Sequence, residues 1–397
     1  MAAQLFRRNM SVSIDEEKLA RVRINSFSCM RSDWALRLIA LYGGAREILS
    51  KTPAELSADG GLSLETVERF VRETRAFDPA KELDLVLKAG ARALTVLDPE
   101  YPELLKGIYD PPLVLYVKGQ FSTAAPAVGV VGTRKATSYG LRTAARLAGE
   151  LCRAGVTVVS GLARGIDTAA HQAALKAGGV TWAVIGTGLN ICYPRENLRL
   201  EREIVEKGGA VFSEFPMGAG ALPVSFPRRN RVISGLSRAV VIVEGDFKSG
   251  ALITARAALE QGREVLAVPG QVDCPMSRGP NYLIKNGAVP VVDALDIISS
   301  FPPEALFGLK TSALSKPEGD GSAGILKTLS EDANAAWAVF KDSSEGLCAD
   351  EVVLKLSMAG TPGASPWSVQ RAGAALFELE TSELIVLKSG KYSRGRC

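Results

Sequence analysis

The densest cationic run in the 397-residue chain is Phe226-Pro227-Arg228-Arg229-Asn230-Arg231. A single strand of nucleic acid needs a flat face for a base and positive charge for its phosphates, and an aromatic beside arginines supplies both. The run also falls where a helix begins, a place that disfavours cations. A solvated basic helix start leaves that placement unexplained, so Phe226, Arg229, Asn230 and Arg231 are candidate contacts. A second candidate is the loop Gly132-Thr133-Arg134-Lys135-Ala136-Thr137-Ser138-Tyr139-Gly140. Small residues let a ligand approach the main chain, and a helix opening near Gly140 presents free N–H groups to an anion. Arg134 adds a planar cation suited to phosphate. Neither the dinucleotide pattern G-x-G-x-x-G nor the Walker A pattern is present. The competing reading of this loop is a structural turn carrying a surface arginine.

Further candidates stand at similar positions along the chain. Ser160-Gly161 is followed by Arg164, a second cation for phosphate, and Ser249-Gly250 opens another helix with backbone donors. Lys285 adds charge at the rim or is an ordinary surface lysine. Asp167 is expected to cap the helix that follows it. His171, four residues on, could be a base oriented by that carboxylate, but no nucleophile is marked beside it and it is read as packed. Tyr193, directly before Pro194, is likewise read as packing rather than as a stacking platform.

Composition narrows the chemistry. Lys and Arg total 47 against 43 Asp and Glu, a net charge of +4, so any anion site must be local. Six cysteines include no C-x-x-C pair, which excludes a zinc ribbon and a thioredoxin-type motif and suits a reducing cytosol. A single histidine excludes a histidine-rich metal centre. No apolar run approaches the roughly 18 residues of a membrane helix, and the N-terminus lacks a secretory core. The expectation is a cytoplasmic protein with no cofactor, metal or catalytic residue.

These residues must be positioned by a framework, and the hydropathy pattern predicts one. From Ala127 seven short apolar runs alternate with helical stretches: AVGVV, VTVVSG, VTWAVIG, GAVFSEF, RAVVIVEG, REVLAVPG and GAVPVV. Unbroken apolar strands alternating with helices indicate a parallel sheet covered on both faces. The fold class is therefore α/β, an extended, doubly wound Rossmann-like sheet over 121–305. In such sheets ligands bind beyond the carboxyl ends of the strands, where the candidate loops fall. Residues 1–22 are expected to be a flexible tail, and 23–120 a small helical (SAM-like) domain with a lead-in. Residues 306–322, rich in Gly, Ser, Lys and Pro, are expected to be a linker. Over 323–397 the segments ADEVVLKL and WSVQRAGAALFELE read as helices, and ELIVLK-SG-KYSR as a hairpin, which together suggest a winged helix.

The segments GTRKATSYG, VSGLARGIDTAAHQAAL, GTGLNICYP, SEFP, FPRRNRVISGLS, SGALITARAALEQGREVLAVPG and GPNYLIKNGA resemble, in order, those of the DprA or Smf family of DNA-processing proteins in bacterial transformation. The match spans about 95–298, and FP-x-RNR-x-I-x-GL and SG-x-LITA-x-x-A are its most specific signals. The resemblance implies a non-catalytic recombination mediator. Such a protein binds single-stranded DNA through the Rossmann-like domain, forms homodimers, shields incoming DNA and helps load the RecA recombinase, in company with single-strand-binding protein. Two alternatives stay open: a nucleotide-binding or nucleotide-cleaving enzyme of the wider Rossmann-like superfamily, and a winged-helix regulator sensing a nucleotide.

Overall fold

The computed structural model describes residues 16–27, 32–311, 329–341, 346–359, 367–382, 384–388 and 390–394. All seven apolar runs form strands of one sheet. With two earlier strands they are β1 (Ala91–Leu94), β2 (Leu115–Gly119), β3 (Ala127–Val131), β4 (Thr157–Ser160), β5 (Thr181–Val184), β6 (Ala210–Ser213), β7 (Ala239–Ile242), β8 (Glu264–Ala267) and β9 (Val289–Pro290). Their order is β1-β2-β6-β5-β4-β3-β7-β8-β9. The strands from β6 to β9 are mutually parallel, while β2 runs antiparallel to β6 and β1 antiparallel to β2.

Side chains alternate across this sheet as the pleat requires. Val128 and Val130 of β3 pack against Ala144, Leu147 and Ala170, from helices Ser138–Arg153 and Ile166–Lys176. Ala127 and Val131 face the other way, against helices Ser225–Gly235 and Gly250–Glu260, represented by Val232, Ile233, Ala251 and Ala255. Gly129 lies between Val159 and Val240. A Cβ there would stand 3.2 Å from Val240 Cγ2 and 3.4 Å from Ile233 Cγ2, so its absence lets the helix Ser225–Gly235 sit close. That helix carries the basic run. The chain winds from β3 through β4, β5 and β6 to one side and returns to β7 on the other. The loops after β3 and β7 therefore part, opening a crevice at the switch point.

The expected domain limits shift in two places. Residues 16–25 are helical, with Ala20, Val22 and Ile24 buried, so the tail expected over 1–22 gives way to packed helix from residue 16. Residues 1–15 lie outside the described residues. The extended segments before residue 120 are β1 and β2, edge strands of the same sheet, so position 120 is not a break in the structure. Instead the chain separates into two compact units, 1–314 and 315–397. The division falls inside the expected linker, of which 312–322 lie outside the described residues.

In the second unit, Glu331–Lys341, Ala349–Ala359 and Val369–Thr381 are helices. They are followed by strands β10 (Ile385–Lys388) and β11 (Lys391–Arg394), paired antiparallel. The two expected helices and the hairpin are present, and the first helix was not read from the sequence. Trp337, Phe340, Leu376 and Leu379 fill a core separate from the sheet. Ser389 of the expected Ser-Gly turn lies outside the described residues; Gly390 has φ 77°, a left-handed backbone that glycine adopts without strain. Among the described residues no helix is long and apolar enough to cross a membrane.

Candidate nucleic-acid interface

At the switch point lies a cleft of about 570 Å³, with walls that include Gly132–Arg134 after β3, Pro223 and Phe226, and the start of the helix Gly250–Glu260. Phe226 is half-buried in its wall. The Arg134 guanidinium sits 4.9 Å from the Phe226 ring centroid, within cation–π range. The Tyr193 ring lies 5.5 Å from Phe226, tilted by 41°, and is 42% exposed. The sequence reading of Tyr193 as packing is therefore incomplete: it touches Phe226 and still opens onto the cleft. Ile253, on the first turn of Gly250–Glu260, is 45% exposed and forms an apolar wall. Among the described residues Arg134 has no acidic partner, so its charge is available to a ligand.

The helix N-terminus at Gly140 is not open to an anion as the sequence suggested. Glu244, buried just beyond β7, occupies it: its carboxylate accepts from Thr137 N at 2.9 Å and from Thr137 Oγ1 at 2.5 Å. Thr137 in turn caps the helix, accepting from Gly140 N at 3.2 Å. A Cβ on Gly140 would collide with the Glu244 carboxylate. Thr137 thus holds an internal anion in place of a bound phosphate, and Gly140 makes room for it. Gly132 lines the cleft but has a packing reason as well, since a Cβ there would stand 2.5 Å from Ile166 Cγ1. Thr133 N donates to Glu244 O at 2.8 Å, and its hydroxyl accepts from Lys135 N at 3.2 Å.

The basic run is corrected most. Arg229 is buried, 4% exposed, and donates through Nη1 to the carbonyls of Gly161 and Val184, tying together the ends of β4 and β5. Its charge is balanced by Asp167, whose carboxylate accepts from Gly161 N at 3.1 Å and Ala163 N at 3.3 Å. Burial pulls the guanidinium down to about 10 against the attraction of Asp167, and burial pushes the Asp167 carboxyl up. Asp167 is therefore the countercharge of Arg229, while Gly165 takes the capping position of its helix. Arg231 is buried too: its Nη2 lies 2.5 Å from Glu214 Oε2, its Nε 3.2 Å from Asp110 Oδ2. Arg228 shares Glu214 at 3.0 Å. Neither Arg229 nor Arg231 is presented to a strand. Asn230 lines the cleft and donates to Gly250 O at 3.1 Å, fixing the wall that carries Ile253.

Other candidates divide similarly. Ser160 is buried and donates to Val130 O at 2.7 Å, and Gly161 is enclosed by Arg229 and Asp167, so both build the site from behind. Ser249 and Gly250 line the cleft, although the Ser249 hydroxyl already accepts from Ala251 N at 3.3 Å. Arg164 is exposed and paired with Glu196, Nη2 to Oε2 at 2.7 Å, which holds the Glu196 carboxyl below its ordinary value. Lys285 is exposed at the end of the helix Arg278–Lys285 and does not line this cleft. His171 is fully buried and shares its Nδ1 with Thr181 Oγ1 at 2.7 Å. That hydroxyl donates onward to Val158 O, so Nδ1 carries the proton.

These features define a doubly wound α/β protein whose switch-point cleft is aromatic and cationic, with its central helix N-terminus already filled by a carboxylate. The sequence profile of the family described as DNA recombination-mediator protein A matches residues 92–302, and the chain belongs to that family. Protein Smf of Escherichia coli is 44% identical over 245 residues, which are 60% of this chain and 64% of Smf, so the match spans less than two thirds of that relative. DNA processing protein DprA of Bacillus subtilis is 46% identical over 215 residues, 54% of this chain and 72% of that protein. The X-ray structure of DNA processing protein A from Streptococcus pneumoniae aligns with a TM-score of 0.60 at 34% identity, covering 70% of this chain and 96% of that one.

Proposed function

We propose that this protein is a non-catalytic recombination mediator that binds single-stranded DNA in the switch-point cleft, protecting incoming DNA during natural transformation. The observation that carries this reading is the row Arg134, Phe226 and Tyr193, a cation and two rings in contact beside an apolar wall. A base finds a ring to stack on, and the next phosphate finds Arg134. The filled helix N-terminus supports the same reading. A nucleotide enzyme of this fold type places a phosphate at such a terminus, and here Glu244 holds that place. On this reading, and on family membership, the protein acts in the cytoplasm as a homodimer, with single-strand-binding protein and the RecA recombinase, which it helps to load, as its partners.

The deciding experiment is titration with oligo-dT and oligo-dC over a range of salt, comparing wild type with Arg134→Ala. The variant is expected to bind both oligonucleotides more weakly and to flatten the log K against log salt plot by about 0.7, the increment for one phosphate of a single strand. Unchanged affinity and slope in the folded variant would place the interface elsewhere.

A further inference from the structure

Arg134 borders more than one cavity. The main cleft ends at it, and beyond it opens a second cleft of about 490 Å³ whose lining includes Arg134, Lys135, Arg164, Gln172 and Glu196. A small third cavity, lined by Arg134, Arg164 and Phe226 among others, shares lining residues with both. Three basic side chains face one acidic side chain in the second cleft. Among the described residues Lys135, like Arg134, has no acidic partner. Arg164 is paired only with Glu196, both being more than half exposed.

This pair differs in kind from the buried pairing of Arg231 with Glu214. A solvated ion pair is weakly held and can exchange partners. The turn carrying Glu196 is itself fixed, because Asn197 Nδ2 donates to Leu162 O and to Thr168 Oγ1, each at 2.9 Å. Only the Glu196 side chain needs to rotate for Arg164 to come free. We propose that the second cleft is a further phosphodiester subsite for the strand leaving Phe226, and that Glu196 gates it by competing with DNA phosphate for Arg164. This deepens the reading of the first cleft as a single-strand site and rests on it.

The test is oligo-dT binding over a salt series by wild type, Glu196→Gln, Arg164→Ala/Glu196→Gln and Phe226→Ala. Glu196→Gln is expected to tighten binding of a long oligo-dT about two- to fivefold, as release of a solvated ion pair allows. It should also steepen the salt slope by about 0.7. The gain should vanish in the double variant and be absent for thymidine monophosphate, which is too short to span both clefts. An unchanged affinity in Glu196→Gln overturns the gate, as does a gain that survives removal of Arg164 or is equally large for the mononucleotide. Phe226→Ala separates the two ideas, because Phe226 lines the first cleft and not the second: if it weakens binding while Glu196→Gln is silent, the first cleft stands without the second. If neither variant changes binding, the single-strand reading of the first cleft fails as well.

Discussion

Phe226 and Arg229 are three residues apart and have opposite fates. Phe226 stays at the cleft surface between Arg134 and Tyr193, so Phe226→Ala should cost about 1–3 kcal/mol of oligo-dT binding, the range for one stacked base, while thermal unfolding changes little. A variant that melts early yet binds normally once folded would make Phe226 a packing residue instead. Arg229 points inward, and Arg229→Ala leaves Asp167 buried without its countercharge. The expected loss is about 3–5 kcal/mol of stability, read by denaturant unfolding; a stable variant with a flatter salt slope would return Arg229 to the surface. His171 sets a pH dependence. Burial holds its imidazole down to about 3 from an ordinary 6.5. Between these values the unfolded chain binds a proton that the folded chain refuses, so stability falls as pH falls through that window. The part due to His171 is roughly 2 kcal/mol between pH 7 and pH 5 and should be missing from His171→Gln. Glu82 and Glu201, raised by burial, titrate in the opposite sense, so it is the difference between wild type and variant that isolates the histidine. Equal pH slopes in the two proteins would show that His171 titrates normally.

At the scale of elements, the seven parallel strands were legible because strands buried on both faces must be apolar throughout, and these runs alternate with helical stretches. The equally apolar run over 113–117 lies outside that alternation and leads into the antiparallel β2. Placement of the candidate loops at the carboxyl ends followed from the same fact. What a linear sequence hides is which way a helical side chain points. Arg228 and Arg231, three apart, share one face and meet Glu214, whereas Arg229 lies about 100° away and meets the end of β4. Their acidic partners Asp110, Asp167 and Glu214 lie on other segments of the chain, so the run looks like a surface cluster until the fold is known. Glu244 was missed for the same reason: it reaches Thr137 across 107 positions. The fit between that carboxylate and its helix can be tested through Gly140. Gly140→Ala puts a methyl group where the carboxylate lies, and overpacking of this kind costs about 1–3 kcal/mol. Thermal unfolding measures it, and a variant as stable as wild type would mean that Glu244 is free to move aside.

At the scale of the whole molecule, each of the two units has its own core, and the residues that build the cleft lie between Val131 and Thr254. A chain ended after Leu314 is therefore expected to keep the oligo-dT affinity and salt slope of the full protein; a large loss of either would assign part of the interface to the second unit. The internal carboxylate has a consequence for timing. Where a helix N-terminus depends on a bound phosphate, departure of the ligand leaves backbone donors unanswered, and leaving is slowed by whatever rearrangement follows. Here Thr137 Oγ1 answers Gly140 N and the Glu244 carboxylate answers Thr137, both from within the protein. On the proposed single-strand reading, these internal partners leave residence time to the stacking and charge contacts themselves. On that proposed reading, a strand held in this way can be surrendered one contact at a time, and no helix terminus needs a new partner afterwards.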